Sequence, residues 1–127
     1  MFSIKNILAV EISVTSLTGL NFGQVTQGDI AKVIAPSNIN TGENASFSVT
    51  GDANTVYNIN LPTSISISNG ASNLTINNFT SNPPFTNGGL LDVSGKETVY
   101  IGATLQSIPI NLQPGAYNGT FLIDVSY

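Results

Sequence analysis

Histidine, cysteine, tryptophan and arginine are all absent from this chain of 127 residues. Without histidine or cysteine there is no Ser-His-Asp or Cys-His relay, and the usual zinc and copper ligand sets are missing. The lack of cysteine also leaves the redox compartment unreadable. Charge is nearly absent as well: Lys and Arg total 3, Asp and Glu total 7, and charged residues make up 8%, against about 25% in a typical domain. A net charge of −4 with no arginine argues against nucleic acid, whose binding rests on Lys and Arg neutralising phosphates. The same shortage argues against an anionic membrane surface. No apolar run approaches the ~20 residues of a membrane-spanning helix. The start, MFSIKNILAV, holds only the short apolar run Ile7–Val10, where the core of a leader peptide needs about 7–15 residues. Either the protein stays inside the cell or the sequence is that of a processed or expressed form, and the second is favoured.

The few carboxylates scatter singly. Asp52, Asp92, Glu97 and Asp124 fall at turns or at polar-phase positions, which reads as solvation and turn capping rather than as a glycosidase pair. Asp29, Asp52 and Asp92 lack the alternating spacing of a calcium loop. Gly88-Gly89 is not followed by the Lys-Ser/Thr of a phosphate loop. No catalytic residue, metal or cofactor is expected, and the chain reads as a non-enzyme.

What the chain does contain is β-forming sequence. Val, Ile, Thr, Tyr and Phe recur, punctuated by Asn and Gly, with no stretch of helical period. The predicted strands are 2–14, LNFGQVT (20–26), IAKVIA (30–35), ASFSVTG (45–51), TVYNINLP (55–62), SISIS (64–68), NLTINNF (73–79), LLDVSG with KETVYIGATL (90–105), INLQ (110–113) and AYNGTFLIDVSY (116–127). SNPPFTNGG (81–89) reads as a loop. Short strands with turn signals every ~8–12 residues predict a two-layer antiparallel sandwich, with a closed barrel as the alternative. At 13.2 kDa, about two thirds of the surface is buried on folding, enough for a core without metal or disulfides. The expected division is an N-terminal strand and joint at 1–19, then a sandwich domain at 20–127.

Asn-x-Ser/Thr triplets stand at Asn44, Asn73, Asn78 and Asn118. In a chain so rich in Asn, Ser and Thr they are no sign of glycosylation. The Asn-rich strands read first as solvation, with amide and Tyr surfaces for sugar as the less favoured alternative.

LNFGQV (20–25), FSVTGDANTVYNINLP (47–62), GATL (102–105) and PGAYNGTFLIDVSY (114–127) resemble, in order, the motifs of the bacterial surface family catalogued as domain of unknown function 4402. GATL stands where that family shows a GGTL-like element, a small departure. The resemblance implies an immunoglobulin-like, pilin-like sandwich in a secreted, cell-surface protein, and it carries over no active site.

The opening stretch, FSIKNILAVEISV, sets Phe2, Ile4, Leu8, Val10, Ile12 and Val14 on one face, with Asn6 the lone polar residue among them. Strict alternation is a strand pattern. At about 3.3 Å per residue it spans roughly 43 Å, against about 17–20 Å for ordinary strands. Burying the six apolar residues is worth at most roughly 9–18 kcal/mol, which rivals the 5–15 kcal/mol stability of a whole domain. Such a stripe must fill a groove, in its own fold or in a neighbour's. Three readings compete: an ordinary first strand, a leader remnant, and a donor strand that completes the next subunit's sheet. The third is favoured, with the closing strand carrying Tyr117, Phe121, Ile123, Val125 and Tyr127 as the acceptor groove. The expected function is thus a structural subunit of an extracellular filament whose partner is itself, head to tail. The alternative is a self-complete adhesive or carbohydrate-binding module, with other surface proteins or glycans as partners.

Overall fold

The computed structural model describes residues 11–85 and 88–127. All regular structure among them is β: β1 (Ser13–Thr18), β2 (Lys32–Ile34), β3 (Ala45–Thr50), β4 (Val56–Asn60), β5 (Ser64–Ser68), β6 (Asn73–Asn82), β7 (Gly89–Leu90), β8 (Lys96–Leu105) and β9 (Asp124–Ser126). Every pairing is antiparallel. The larger sheet runs β1-β3-β8-β6-β5 with β2 also on β8, and the smaller runs β7-β4-β9. The molecule is an antiparallel β-sandwich.

Alternation decides which residues go inward. In β3, Ala45, Phe47 and Val49 are buried; in β8, Val99, Ile101, Ala103 and Leu105 are. β8 is the hub, with β3 along Lys96–Ile101, β2 along Ala103–Leu105 and β6 on its other edge. These registers define two ends. At the near end, Lys96 pairs with Thr50 and Thr50 with Ser13. At the far end, Leu105 pairs with Lys32 and Ile76.

Two local devices fix the loops. The backbone of 34–36 crosses directly over Gly102, where a Cβ would lie 2.1 Å from the Ile34 carbonyl oxygen. Only glycine fits. Beyond that crossing, Asn44 is wholly buried. Its Oδ1 accepts from the Thr41 amide and hydroxyl at 2.9 and 3.0 Å, and its Nδ2 donates to the Pro36 and Ile39 carbonyls at 2.5 and 2.9 Å. All its amide groups are partnered, which is what makes so deep a polar residue tolerable. A sugar on Asn44 is incompatible with this burial.

Three expectations are corrected. The joint expected before residue 20 is not one, because Thr15–Thr18 continues β1 against Ser48–Ser46 of the same chain. Residues 20–26 form no strand. Asn21 Oδ1 caps the Gly23 amide at 2.8 Å, and Gly23 takes a left-handed φ of 68°, so local side-chain bonding wins over pairing. The closing strand is only Asp124–Ser126; Asn118 bridges Ser68 on the larger sheet and Asp124–Ser126 pairs with the smaller one, so residues between them change sheets and extend neither.

Candidate functional site

The two halves of the sandwich are closed differently. At the near end, Ala45, Phe47, Val49, Val99 and Ile101 face Tyr57 and Leu91 across the layers, backed by Phe121, Ile123 and Val125. Strands cover strands there. At the far end, Ile34, Leu74, Ile76, Ala103 and Leu105 all belong to the larger sheet, and among the described residues those packed on them are Phe22, Ile108, the loop residues Leu20, Val25, Leu112 and Tyr117, and Ile65, Ile67 and Phe79 of the same sheet. A groove of about 1090 Å³ opens beside these residues and continues along β1, where Val14, Ser16 and Thr18 line it.

Its floor is Phe47, Leu74, Ile76 and Leu105. One wall is β1 from Val14 to Thr18 with the chain around Leu20 and Phe22; the other is residues 115–123. Each wall is held. The Asn21 amide donates to Glu43 O at 2.8 Å and Lys32 Nζ to Phe22 O at 2.7 Å. Opposite, Asn118 exchanges two backbone bonds with Ser68 at 2.9 and 3.0 Å. Phe121 stacks at a tilt on Phe79 with ring centroids 5.3 Å apart, and the Tyr117 hydroxyl donates to Gln113 O at 2.6 Å. Gly119 must be bare, since a Cβ there would stand 2.8 Å from Ile67 Cγ2 and 3.0 Å from Ser66 O.

Among the described residues no carboxylate or lysine lines this groove. It offers apolar floor, hydroxyls, amides and backbone, which suits an uncharged extended segment and supplies no strong acid or base. Beside it, β9 pairs with β4 on one edge, and its other edge holds no strand among the described residues. An open sheet edge is a template for a further strand.

The expected acceptor residues divide. Tyr117, Phe121 and Ile123 line the groove. Val125 packs into the closed half, and the Tyr127 hydroxyl accepts the Asp52 amide at 2.7 Å, so neither belongs to the groove. The expected donor residues divide too. Ile12 and Val14 pack on this chain's own core, which removes them from any donated segment, while Phe2, Ile4, Leu8 and Val10 lie outside the described residues. Sequence reasoning missed Leu20, Phe22, Ile65 and Ile67 as groove residues. Their signal was present in the alternation of LNF and SISIS, but nothing local says that an inward-facing residue lacks a cover.

Away from the groove, Tyr57 donates to Glu97, and burial followed by that carboxylate's hydrogen bond and charge holds the phenol well above its ordinary value. No cluster of three His, Cys, Asp or Glu side chains suited to a metal occurs among the described residues. No curated protein and no solved structure matches the chain. One family model does, over residues 12–127, nearly the whole of the sandwich and both groove walls. The chain belongs to the family described as Domain of unknown function (DUF4402).

Proposed function

We propose that this protein is the structural subunit of a head-to-tail filament, each copy completed by the N-terminal segment of the next. The observation that carries the reading is the groove, without a charged side chain among the described residues that line it, beside the edge of β9 that pairs with no strand among the described residues. A strand laid there supplies main-chain bonds to an edge and alternate side chains to successive pockets. Phe2, Ile4, Leu8 and Val10 recur at the needed period of two,.

Geometry favours a neighbour's segment over the chain's own. The chain enters β1 at the near end, where Ser13 faces the last residue of β3. The groove runs from Val14, Ser16 and Thr18 of β1 to Ile76 and Leu105, and β8 with its 10 residues spans about 33 Å at 3.3 Å per residue. To fill its own groove, the chain has to reverse just before Ser13 and run back along that length. A segment donated into the next copy's groove makes a heterologous contact, which propagates rather than closes. Low charge leaves little repulsion to oppose close stacking. The extracellular setting rests on the family resemblance.

The test compares the full chain with one lacking residues 1–11. The full chain is expected to form heat-stable oligomers visible by negative stain. The shortened chain is expected to be monomeric or aggregating, and a synthetic 2–12 peptide is expected to raise its melting temperature. An unchanged melting temperature on deletion, with a full chain that stays monomeric at all concentrations, overturns the reading in favour of a self-complete surface module.

A further inference from the structure

Two Asn-Gly pairs lie wholly within the described residues, Asn69-Gly70 and Asn118-Gly119. Asparagine is among the thermally labile residues. It is most labile before glycine, which has no Cβ to shield the following amide nitrogen. The reaction is intramolecular. A base takes the proton of the glycine amide, whose nitrogen bonds to the asparagine Cγ as the Cγ–Nδ2 bond breaks and ammonia leaves. Water then opens the resulting succinimide at one carbonyl or the other, giving aspartate or isoaspartate.

The fold holds the two pairs differently. At Asn69 both reacting groups are engaged elsewhere: Oδ1 accepts the Ala71 and Ser72 amides at 2.9 and 2.8 Å, and the Gly70 amide donates to Ser68 Oγ at 2.9 Å. At Asn118, neither the carboxamide nor the Gly119 amide has a hydrogen-bond partner among the described residues. What holds Asn118 is its backbone, which exchanges two bonds with Ser68 at 2.9 and 3.0 Å in an isolated bridge. Bringing the Gly119 nitrogen onto Cγ turns the peptide plane whose oxygen accepts from Ser68, so that bond must open first. With no neighbouring rung to hold it, such a bridge opens locally, without unfolding of the sandwich. The fold also dictates the residue that makes the site reactive. A Cβ at 119 would stand 2.8 Å from Ile67 Cγ2, so close packing on β5 demands glycine, and glycine bares the nucleophile.

We propose that Asn118 is a self-modifying site on the groove wall, and that its conversion ends the groove's capacity to take a strand. Asn118 and Gly119 both line the groove, where no carboxylate stands among the described residues. Conversion puts a negative charge where an apolar segment has to lie, at the desolvation cost of an unpaired charge. Isoaspartate also adds a methylene to the backbone, which breaks the bridge to Ser68. The effect on strand binding rests on the filament reading above; the modification itself does not.

The full chain is incubated in warm, mildly alkaline buffer and mapped by mass spectrometry of its proteolytic peptides. Aspartate and isoaspartate are expected to accumulate at residue 118 at least several-fold faster than at residue 69. Equal rates at the two sites, or an intact Asn118 when a synthetic 115–122 peptide has fully converted, overturn the site. The consequence is read on Asn118→Asp, which is expected to bind the labelled 2–12 peptide at least several-fold more weakly than wild type. Without any variant, the 2–12 peptide bound to wild type is expected to slow conversion at 118. Equal binding by the two proteins, or an undiminished rate under bound peptide, overturns the consequence alone. A wild-type chain that binds no peptide overturns the filament reading, and the consequence with it, while conversion at 118 still establishes the site.

Discussion

The phenol of Tyr57, on the smaller sheet, donates to the carboxylate of Glu97 on β8 of the larger one. This bond joins the layers at the closed half, where Tyr57 is fully buried and has a bare glycine, Gly89, against its ring. Tyr57→Phe leaves a half-buried carboxylate without this partner, and is expected to cost about 1–3 kcal/mol in denaturant unfolding. The pH dependence has a definite sign. Because the folded phenol titrates above the ordinary 10.0, its contribution is complete below that pH and is lost as pH rises through 10 toward the folded value. The wild type is expected to lose stability there more steeply than Tyr57→Phe. Parallel alkaline limbs for the two proteins count against the assignment.

The acid side depends on a different group. Hydrogen bonds from the Ser94 hydroxyl, then from the Lys96 and Ser94 amides, hold Asp92 below its ordinary 3.8. Its contribution is present above that value and lost as pH falls through the lower, folded one. Asp92→Asn is expected to flatten the dependence of melting temperature on pH below about 4. A mutant with the same acid slope as the wild type refutes the role.

Gly102→Ala tests the crossing of 34–36 over β8. The obstructing atoms are backbone, the Ile34 oxygen at 2.1 Å and the Pro36 nitrogen at 2.7 Å, so no rotamer relieves the clash. Displacing the crossing also threatens the Asn44 network beneath it. A loss of about 3 kcal/mol or more is expected. Gly19→Ala, with nothing within 4 Å of its Cβ, is the control and is expected to change stability by under about 0.5 kcal/mol. Equal effects at the two sites contradict this account.

How far the sequence was legible follows from which forces act locally. ASFSVTG, SISIS and KETVYIGATL alternate cleanly, and the structure forms strands at Ala45–Thr50, Ser64–Ser68 and Lys96–Leu105. Period two is a local consequence of the pleat. The family resemblance was legible too, and the match over residues 12–127 bears it out. The errors fall where a distant partner decides. LNFGQVT has a strand's composition, yet Asn21 and Gly23 turn it aside. AYNGTFLIDVSY alternates over its whole length, yet Asn118 is claimed by β5 and Asp124 by β4. The groove itself was not readable residue by residue. Tyr117, Phe121 and Ile123 were anticipated on their hydrophobic phase, but that no strand among the described residues covers the groove is a property of sheet order.

The polarity of the proposed assembly gives the most discriminating prediction. Ile67 lines the groove from β5 and is only partly buried in the single chain. A carboxylate there remains tolerable while the groove is open to water. Once a strand covers it, an unpaired charge is trapped at a cost of several kcal/mol, and about 3 kcal/mol already weakens binding more than a hundredfold. Ile67→Asp should therefore abolish acceptance but leave donation intact. Val10→Asp places the charge on the donated segment instead, so that copy should accept but not donate. Each variant alone is expected to be monomeric on gel filtration. Mixed, they have one compatible contact left, the Ile67→Asp chain donating into the groove of the Val10→Asp chain. The mixture is expected to give dimers of one variant with the other and nothing longer, because both remaining ends are blocked. Added in small amounts to wild type, each is expected to shorten filaments by capping opposite ends. A mixture that stays monomeric contradicts strand donation, and one that restores long filaments shows that these two residues do not carry it.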